Sequence, residues 1–251
     1  MVETVVVTAS TGAFPGLKEA LQAIPVLVEE HPLMTFAPPA DWTLLDSALD
    51  RWDSYTAVAF TSPRAATAVL ERLAGRRARD QNVPTVWAGG AATKDALGEA
   101  MPHVLAPNEA EAERLGVAEA LALAMLDAGV GGPVLFPCGD SRRDELPERL
   151  RSQGIEVEEV VCYRSVLASE SVAHAAAARG TMLVVASPTV ANLLVRACPP
   201  DARPDLLAVG PTTAASARAA GWLPAAVASS PTAGALAAAV KDVLARRAIH
   251  E

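Results

Sequence analysis

The chain has 251 residues, enough to bury one large core or two modest ones, and with a formal net charge of -8 and 4% aromatics it offers nucleic acid neither a basic footprint nor rings for stacking. Cys138, Cys162 and Cys198 are odd in number and widely spaced, which leaves no disulfide framework and no CxxC zinc or redox pattern and fits a reducing, cytoplasmic setting. The start, MVETVVVTAS, has no basic region before its short apolar run, and Gly, Pro, Arg or Asp interrupt the Ala-rich segments of the last third, so neither a signal peptide nor a membrane-spanning helix is expected. An acidic total still permits an anionic small molecule, because binding follows the local field in a cleft rather than the sum of surface charges.

In chain order, VVVTASTGAFPGLKEALQAIPVLVEE (5–30) reads as a strand, a glycine-bearing turn, a helix through Leu17, Ala20 and Leu21, and a second strand. HPLMTFAPPADWTLLDSALDRWDS (31–54) begins as a Pro-rich extended crossing and ends as a short helix. AVAFTSPRAATAVL (57–70) runs from an apolar strand through Ser-Pro into a helix, and VPTVWAGGAATKDALGEAMPHVLAP (83–107) adds another strand, turn and helix. The order then returns. PVLFPCGDSRRDELPERLRSQGIEVEEV (133–160) repeats the first segment, with Leu146 and Leu150 in place of Leu17 and Leu21. VCYRSVLASESVAHAAAARG (161–180) repeats the crossing, MLVVASPTVANLLV (182–195) the Ser-Pro turn, and DLLAVGPTTAASARAAGWLPAAVAS (205–229) the third unit, aligning Gly90 with Gly210 and Thr93 with Thr213.

Short buried-type strands leading into longer helical patterns indicate α/β layering with right-handed crossovers. Ten strands are expected, near residues 4–8, 25–30, 56–61, 83–87, 103–106, 133–136, 155–160, 182–186, 205–209 and 225–228. Ten strands divide naturally into two sheets of five, flanked by the helices. If both crossings pass between domains, residues 38–165 form an inserted domain and residues 1–35 with 168–251 a discontinuous one, with linkers near 36–37 and 166–167. A sequential division near residue 131 is the alternative.

The turns carry the chemistry. Ser62 and Ser187 each stand between a buried strand and a helix opened by Pro. There a hydroxyl either caps free N–H groups or, with those N–H groups, meets an anionic ligand. Thr93 and Thr213, in GGAAT and GPTT, either cap helices or donate to a carboxylate, while Gly90 and Gly210 allow close backbone approach. Neither turn is a GxGxxG or GxxxxGK[ST] phosphate motif. Arg142 and Arg143 in CGDSRRDEL (138–146) suit a ligand carboxylate or ordinary pairing with Asp140, Asp144 or Glu145. Tyr163, one of two tyrosines, offers either a proton donor at a cleft floor or a packed ring at a hinge. His31, His103, His174 and His250 are scattered without HExxH or another metal-ligand spacing, so no metal site is expected, and no GxSxG elbow is present. Adjacent acids such as Glu158 and Glu159 point to opposite faces of a strand and make poor joint acid/base pairs.

Taken together, VVVTAS, AFTSPRAA, AGGAAT, VLFPCGDSRRDELPERLRSQGIEVEEVVCYR, VVASPTVANLL, LLAVGPTTAASARAAG and SSPTAGALAAAV resemble the uroporphyrinogen-III synthase family over nearly the whole chain. The resemblance implies two similar α/β domains, each a parallel five-stranded sheet flanked by helices, joined by a two-stranded linker, with the active site in the cleft between them. It implies a cofactor-free hydro-lyase that converts the linear tetrapyrrole hydroxymethylbilane to uroporphyrinogen III. In that chemistry loss of water gives an azafulvene-like cation, ring D is attacked at its substituted position, and a spiro intermediate rearranges before closure. The protein's task is then to hold a flexible chain in one productive fold.

By the same resemblance Ser62, Thr93, Ser187 and Thr213 match ligand-facing turn positions, and Tyr163 a general acid. Many members carry an arginine after the first strand's threonine; this chain has Ala9, which leaves Arg142, Arg143 or backbone donors to meet that carboxylate. The expected partners are the substrate and a transient hand-off from the preceding pathway enzyme, with no nucleic acid or membrane and a monomeric state. The alternatives are a hinged two-domain small-molecule binding protein and a non-catalytic regulatory domain of the same fold.

Overall fold

A computed structural model describes residues 3–74 and 83–250, with side chains to residue 248. The chain begins with β1 (Glu3–Val7), α1 (Leu17–Leu21) and β2 (Val26–Glu30), and β3 (Met34–Ala37) leads onward. Next come α2 (Thr43–Asp50), β4 (Ala57–Phe60), α3 (Pro63–Leu73), β5 (Thr85–Ala88), α4 (Ala91–Leu97), β6 (Val104–Leu105), α5 (Glu109–Leu115), α6 (Val117–Asp127), β7 (Val134–Gly139) and α7 (Glu145–Ser152). The long β8 (Val157–Leu167) leads back, followed by α8 (Glu170–Ala177), β9 (Met182–Val185), α9 (Pro188–Ala197), β10 (Asp205–Val209), α10 (Pro211–Ala219), β11 (Ala226–Ala228) and α11 (Ala233–His250). These elements form two compact units, Met1–Thr35 with Val166–Glu251, and Phe36–Ser165. Among the described residues no helix is long and apolar enough to cross a membrane.

The discontinuous unit holds a sheet in the order β11-β10-β9-β1-β2, with its neighbouring strands parallel. Because side chains alternate along a strand, its apolar runs feed two layers. Val5, Val7, Val184 and Leu207 pack with Leu17, Leu21, Leu236 and Val240 from α1 and α11. Val6, Leu183, Val185 and Leu206 pack with Ala173, Leu194 and Ala217 from α8, α9 and α10. Covering both faces requires continuous hydrophobic strands, which is how VVV and MLVV are written. Each fully buried Val or Leu contributes about 1.5–3 kcal/mol.

The continuous unit repeats this plan. Val58, Phe60, Val86 and Leu135 pack with Leu45, Leu49, Val69 and Leu97 on one side, while Ala57, Ala59, Trp87, Val134 and Phe136 meet Leu121, Met125, Leu146 and Leu150 on the other. Here the expectation of five parallel strands needs correction, because the sheet has six, in the order β3-β8-β7-β4-β5-β6, and is mixed. The added strand, β3, falls where the sequence predicts only an extended crossing. Around it the chain runs opposite to β8, since Leu33 O accepts from Ala168 N at 2.9 Å and Pro38 O accepts from Arg164 Nε at 3.0 Å. The prolines that disguise it, Pro38 and Pro39, fall just beyond its last residue on a sheet edge, where a missing N–H does no harm.

The sequence repeat maps onto these sheets element for element. β1-α1-β2 corresponds to β7-α7-β8, β9-α9 to β4-α3, and β10-α10-β11 to β5-α4-β6. In both, the strand leading to Ser-Pro lies beside the first strand of the repeat, β9 by β1 and β4 by β7. This is where the strand order reverses, and ligands of doubly wound sheets sit outside the C-terminal strand ends at that point.

Candidate functional site

At the β4/β7 reversal a cavity of about 360 Å³ is lined by residues including Thr61, Ser62, Cys138, Gly139, Arg142 and Tyr163, a volume in the range of small-molecule sites. Arg143 and the α5–α6 junction complete its wall. Ser62 is the N-cap of α3 in extended conformation (φ -141°, ψ 130°), yet its hydroxyl makes no capping bond. Pro63 at the first helical position has no N–H to cap. The next amides, Arg64 and Ala65, therefore lack a side-chain cap and can face an anion. Tyr163 is half-buried in a T-shaped pair with Phe36, ring centroids 5.7 Å apart, and among the described residues its hydroxyl has no hydrogen-bonding partner.

The arginines differ. Arg142 Nε donates to Glu159 Oε2, and its Nη1 lies 3.3 Å from Asp144, so much of its charge is already engaged. Burial opposes ionisation of Glu159, but the bonds from Arg142 and then Arg151 outweigh it and hold its pKa below the usual carboxylate range. Arg143 is looser, 3.9 Å from Glu145 and 76% exposed, and is the freer cation for a ligand. Asp140 pairs with neither arginine; its Oδ1 accepts from Ser165 N at 2.9 Å. Glu158 and Glu159 do point apart, since Glu158 accepts from Tyr55 Oη at 2.6 Å and from Arg51 at 2.8 Å, away from the Glu159 partners.

Gly90 and Thr93 occupy the next turn of the sheet and lie outside the residues lining this cavity. Thr93 is buried within α4, and Gly90 is extended (φ -173°), with open space where a Cβ would stand. The glycine that close packing demands is its neighbour Gly89, whose Cβ would come 2.4 Å from Val117 Cγ1 on the cavity wall. Two adjacent glycines look alike in sequence, and only the packing of α6 separates them.

The other unit contains the counterparts. Ser187 caps α9 in nearly the same conformation (φ -132°, ψ 132°), again without a capping bond and again followed by Pro. Gly210 differs from Gly90, because at φ 86°, ψ 165° it occupies a region open only to glycine. Thr213 is buried in α10, beside Ser216, whose hydroxyl bonds Asn192 of α9 at 3.2 Å. At the end of β1, Thr8 Oγ1 donates to Val184 O at 2.9 Å, which spends that hydroxyl on the sheet, and Ala9 follows half-buried.

The remaining reactive groups are structural. Burial pushes the thiols of Cys138 and Cys162 up to about 12 and raises that of Cys198, so none is a ready nucleophile near neutral pH. His31 bonds Glu29 at 2.9 Å, and Arg179 first, then His31, draw the Glu29 carboxyl down to about 2. His174 meets Ala197 O at 3.1 Å, His103 is exposed, and the His250 side chain lies outside the described residues. Among the described residues, no cluster of His, Cys, Asp or Glu is arranged to hold a metal ion.

The sequence matches the model of a family described as uroporphyrinogen-III synthase HemD over residues 16–238. The fold is similar to that of a mutant uroporphyrinogen III synthase from the extremely thermophilic bacterium Thermus thermophilus, with a TM-score of 0.63 at 16% identity, covering 97% of this chain and 99% of that one. It is also similar to uroporphyrinogen-III synthetase from Helicobacter pylori, with a TM-score of 0.58 at 18% identity, covering 95% of this chain and 99% of the other. No curated protein sequence matches.

Proposed function

Because this chain belongs to the uroporphyrinogen-III synthase family, matched across residues 16–238, and is on that ground a hydro-lyase of tetrapyrrole biosynthesis, we propose how its residues perform the reaction. Tyr163 acts as the general acid that assists departure of hydroxide from the hydroxymethyl group of hydroxymethylbilane. The Ser62 turn, with its uncapped amides, and Arg143 receive substrate carboxylates on one unit. The Ser187 turn does so on the other, with Thr93 and Thr213, at the next turn of each sheet, as the second pair of substrate donors. Gly90 and Gly210 leave room for the substrate beside the backbone. Arg142, tied to Glu159, shapes the wall more than it binds.

The single observation supporting Tyr163 is its hydroxyl, unpartnered among the described residues, at the cavity that also exposes Ser62 and Arg143. A phenol not consumed by the fold is available to the leaving group. The substrate supplies the carbocation chemistry, so positioned donors suffice and a strong protein nucleophile is unnecessary. Spiro formation and inversion of ring D belong to the same proposal, as does selectivity over unassisted closure to the type I isomer.

On this reading the domains are residues 1–35 with 168–251 and residues 38–165, linked near 36–37 and 166–167, a division supported by two compact units. The enzyme works as a monomer in the cytoplasm, where its three free thiols stay reduced, and takes its unstable substrate by hand-off from the preceding enzyme. Incubation with freshly generated hydroxymethylbilane, followed by separation of the type I and type III products, tests the activity. Enzyme-dependent enrichment of type III is expected, and type I alone refutes it.

A further inference from the structure

The register between β7 and β8 slips at the site. Pro137 pairs with Val160 and Cys138 with Val161, but Gly139 stands opposite Tyr163, so Cys162 is the extra residue of a bulge. A bulge re-aims the side chain that follows it, and here that side chain is the proposed acid. The phenol lies directly against Gly139, where an added Cβ would be 2.6 Å from ring carbons Cε2 and Cζ and 2.8 Å from the hydroxyl oxygen.

The next residue grips the strand just beyond the phenol. Asp140 N donates to Tyr163 O at 3.1 Å, and Asp140 Oδ1 accepts from Ser165 N at 2.9 Å and from Ser141 Oγ at 3.3 Å. Its β8 partners are thus Tyr163 and Ser165, on either side of Arg164, the first bonded through the Asp140 main chain and the second through its side chain. We propose that Asp140 is a positioning residue for Tyr163: it locks the bulged end of β8 so that the phenol stays on the glycine shelf and its hydroxyl faces the cavity. Gly139 supplies the space and Asp140 the lock. The proposal rests on the reading of Tyr163 as general acid, and the two are separable by experiment.

Tyr163 and Tyr55 are the two tyrosines, so fluorotyrosine labelling gives two fluorine NMR resonances, assigned with Tyr55→Phe. Asp140→Ala is expected to shift or broaden the Tyr163 resonance while leaving that of Tyr55, which is held by Glu158. It lowers kcat on the order of tenfold, within what small misplacement of a reacting group does, with KM inside about twofold. Asp140→Asn keeps an oxygen acceptor for Ser165 N and restores most of kcat. In a Tyr163→Phe background, Asp140→Ala causes no further loss.

An unmoved Tyr163 resonance overturns the proposal, as does the same loss of kcat with and without the Tyr163 hydroxyl. If Tyr163→Phe retains full kcat while Asp140→Ala still displaces the resonance, the acid role fails and the positioning stands. Should Asp140→Ala not fold, Gly139→Ala replaces it. That methyl must displace the Tyr163 resonance, and an unchanged spectrum overturns the proposed shelf and lock together.

Discussion

Gly90 and Gly210 align in the sequence repeat but differ physically, and replacing each with Ala separates backbone strain from substrate access. Both are N-caps, of α4 and α10, so any loss of capping preference is common to the pair. Both also gain about 0.4–1 kcal/mol from a stiffer unfolded chain. What remains is conformation. Gly90 at φ -173°, ψ 173° is ordinary extended backbone, and a methyl there meets nothing within 4 Å. Gly210 at φ 86°, ψ 165° lies where an L side chain is strained by about 1–3 kcal/mol. Gly210→Ala is therefore expected to melt roughly 2–12 °C below Gly90→Ala, taking about 2–4 °C per kcal/mol for this size. Gly90→Ala stays within about 4 °C of the wild type on the same scale. Circular-dichroism melts at matched concentration measure both, and steady-state kinetics at 25 °C adds the second axis. If the substrate approaches Gly90, its methyl raises KM several-fold with stability unchanged. Equal melting shifts for the two variants refute the strain argument, and an unchanged KM removes Gly90 from the binding surface.

Ser62→Ala and Ser187→Ala each lose less than about 0.5 kcal/mol, because neither hydroxyl caps its helix, whereas Ser169→Ala loses about 1 kcal/mol because Ser169 Oγ accepts from Val172 N at 3.3 Å; urea titrations of the three variants decide it. Tyr55→Phe removes a bond to a carboxylate one-third exposed and still held by Arg51, for about 1–2 kcal/mol at pH 7. Burial disfavours the Glu158 carboxylate, but the bonds from Arg51 and then Tyr55 prevail and depress its pKa. This stabilisation is present above the unfolded-state pKa and disappears as pH falls through the folded value, so the wild-type advantage measured by urea must shrink in acid. Cys138, Cys162 and Cys198 are buried and resist iodoacetamide in the native enzyme at pH 8 but react when unfolded; mass spectrometry reads the difference, and rapid native labelling contradicts the thiol burial.

The α/β class and the repeat were legible because each fully covered strand is written as an unbroken apolar run and each copy keeps the same order of turns. β3 was not, since Met34–Ala37 lies against Pro38 and Pro39, and proline signals a connection unless the strand is known to sit on an edge. Partners from distant elements were equally hidden. Glu159 joins Arg142 and Arg151 around the β7-α7-β8 turn, while sequence proximity suggested the acids next to Arg142. The local turns were readable, but which glycine is crowded, and whether a cap hydroxyl is used or spare, depend on packing and dihedral angle. Gly89, Asp140 and Glu159 left no signal beyond their residue types.

The discontinuity of one unit also sets an order of synthesis. Phe36–Ser165 is contiguous and can complete its sheet while the ribosome is still at work, since domains generally fold as units. β1 and β2 emerge earlier but must wait, because β9, which pairs with β1 through Met182–Val184, is translated long afterwards. Until then β1 offers an unpaired apolar edge of the kind that other chains can adopt. A nascent chain stalled before residue 182 would therefore pair a finished domain with a sticky, half-built one, placing the main aggregation hazard of this fold in biogenesis.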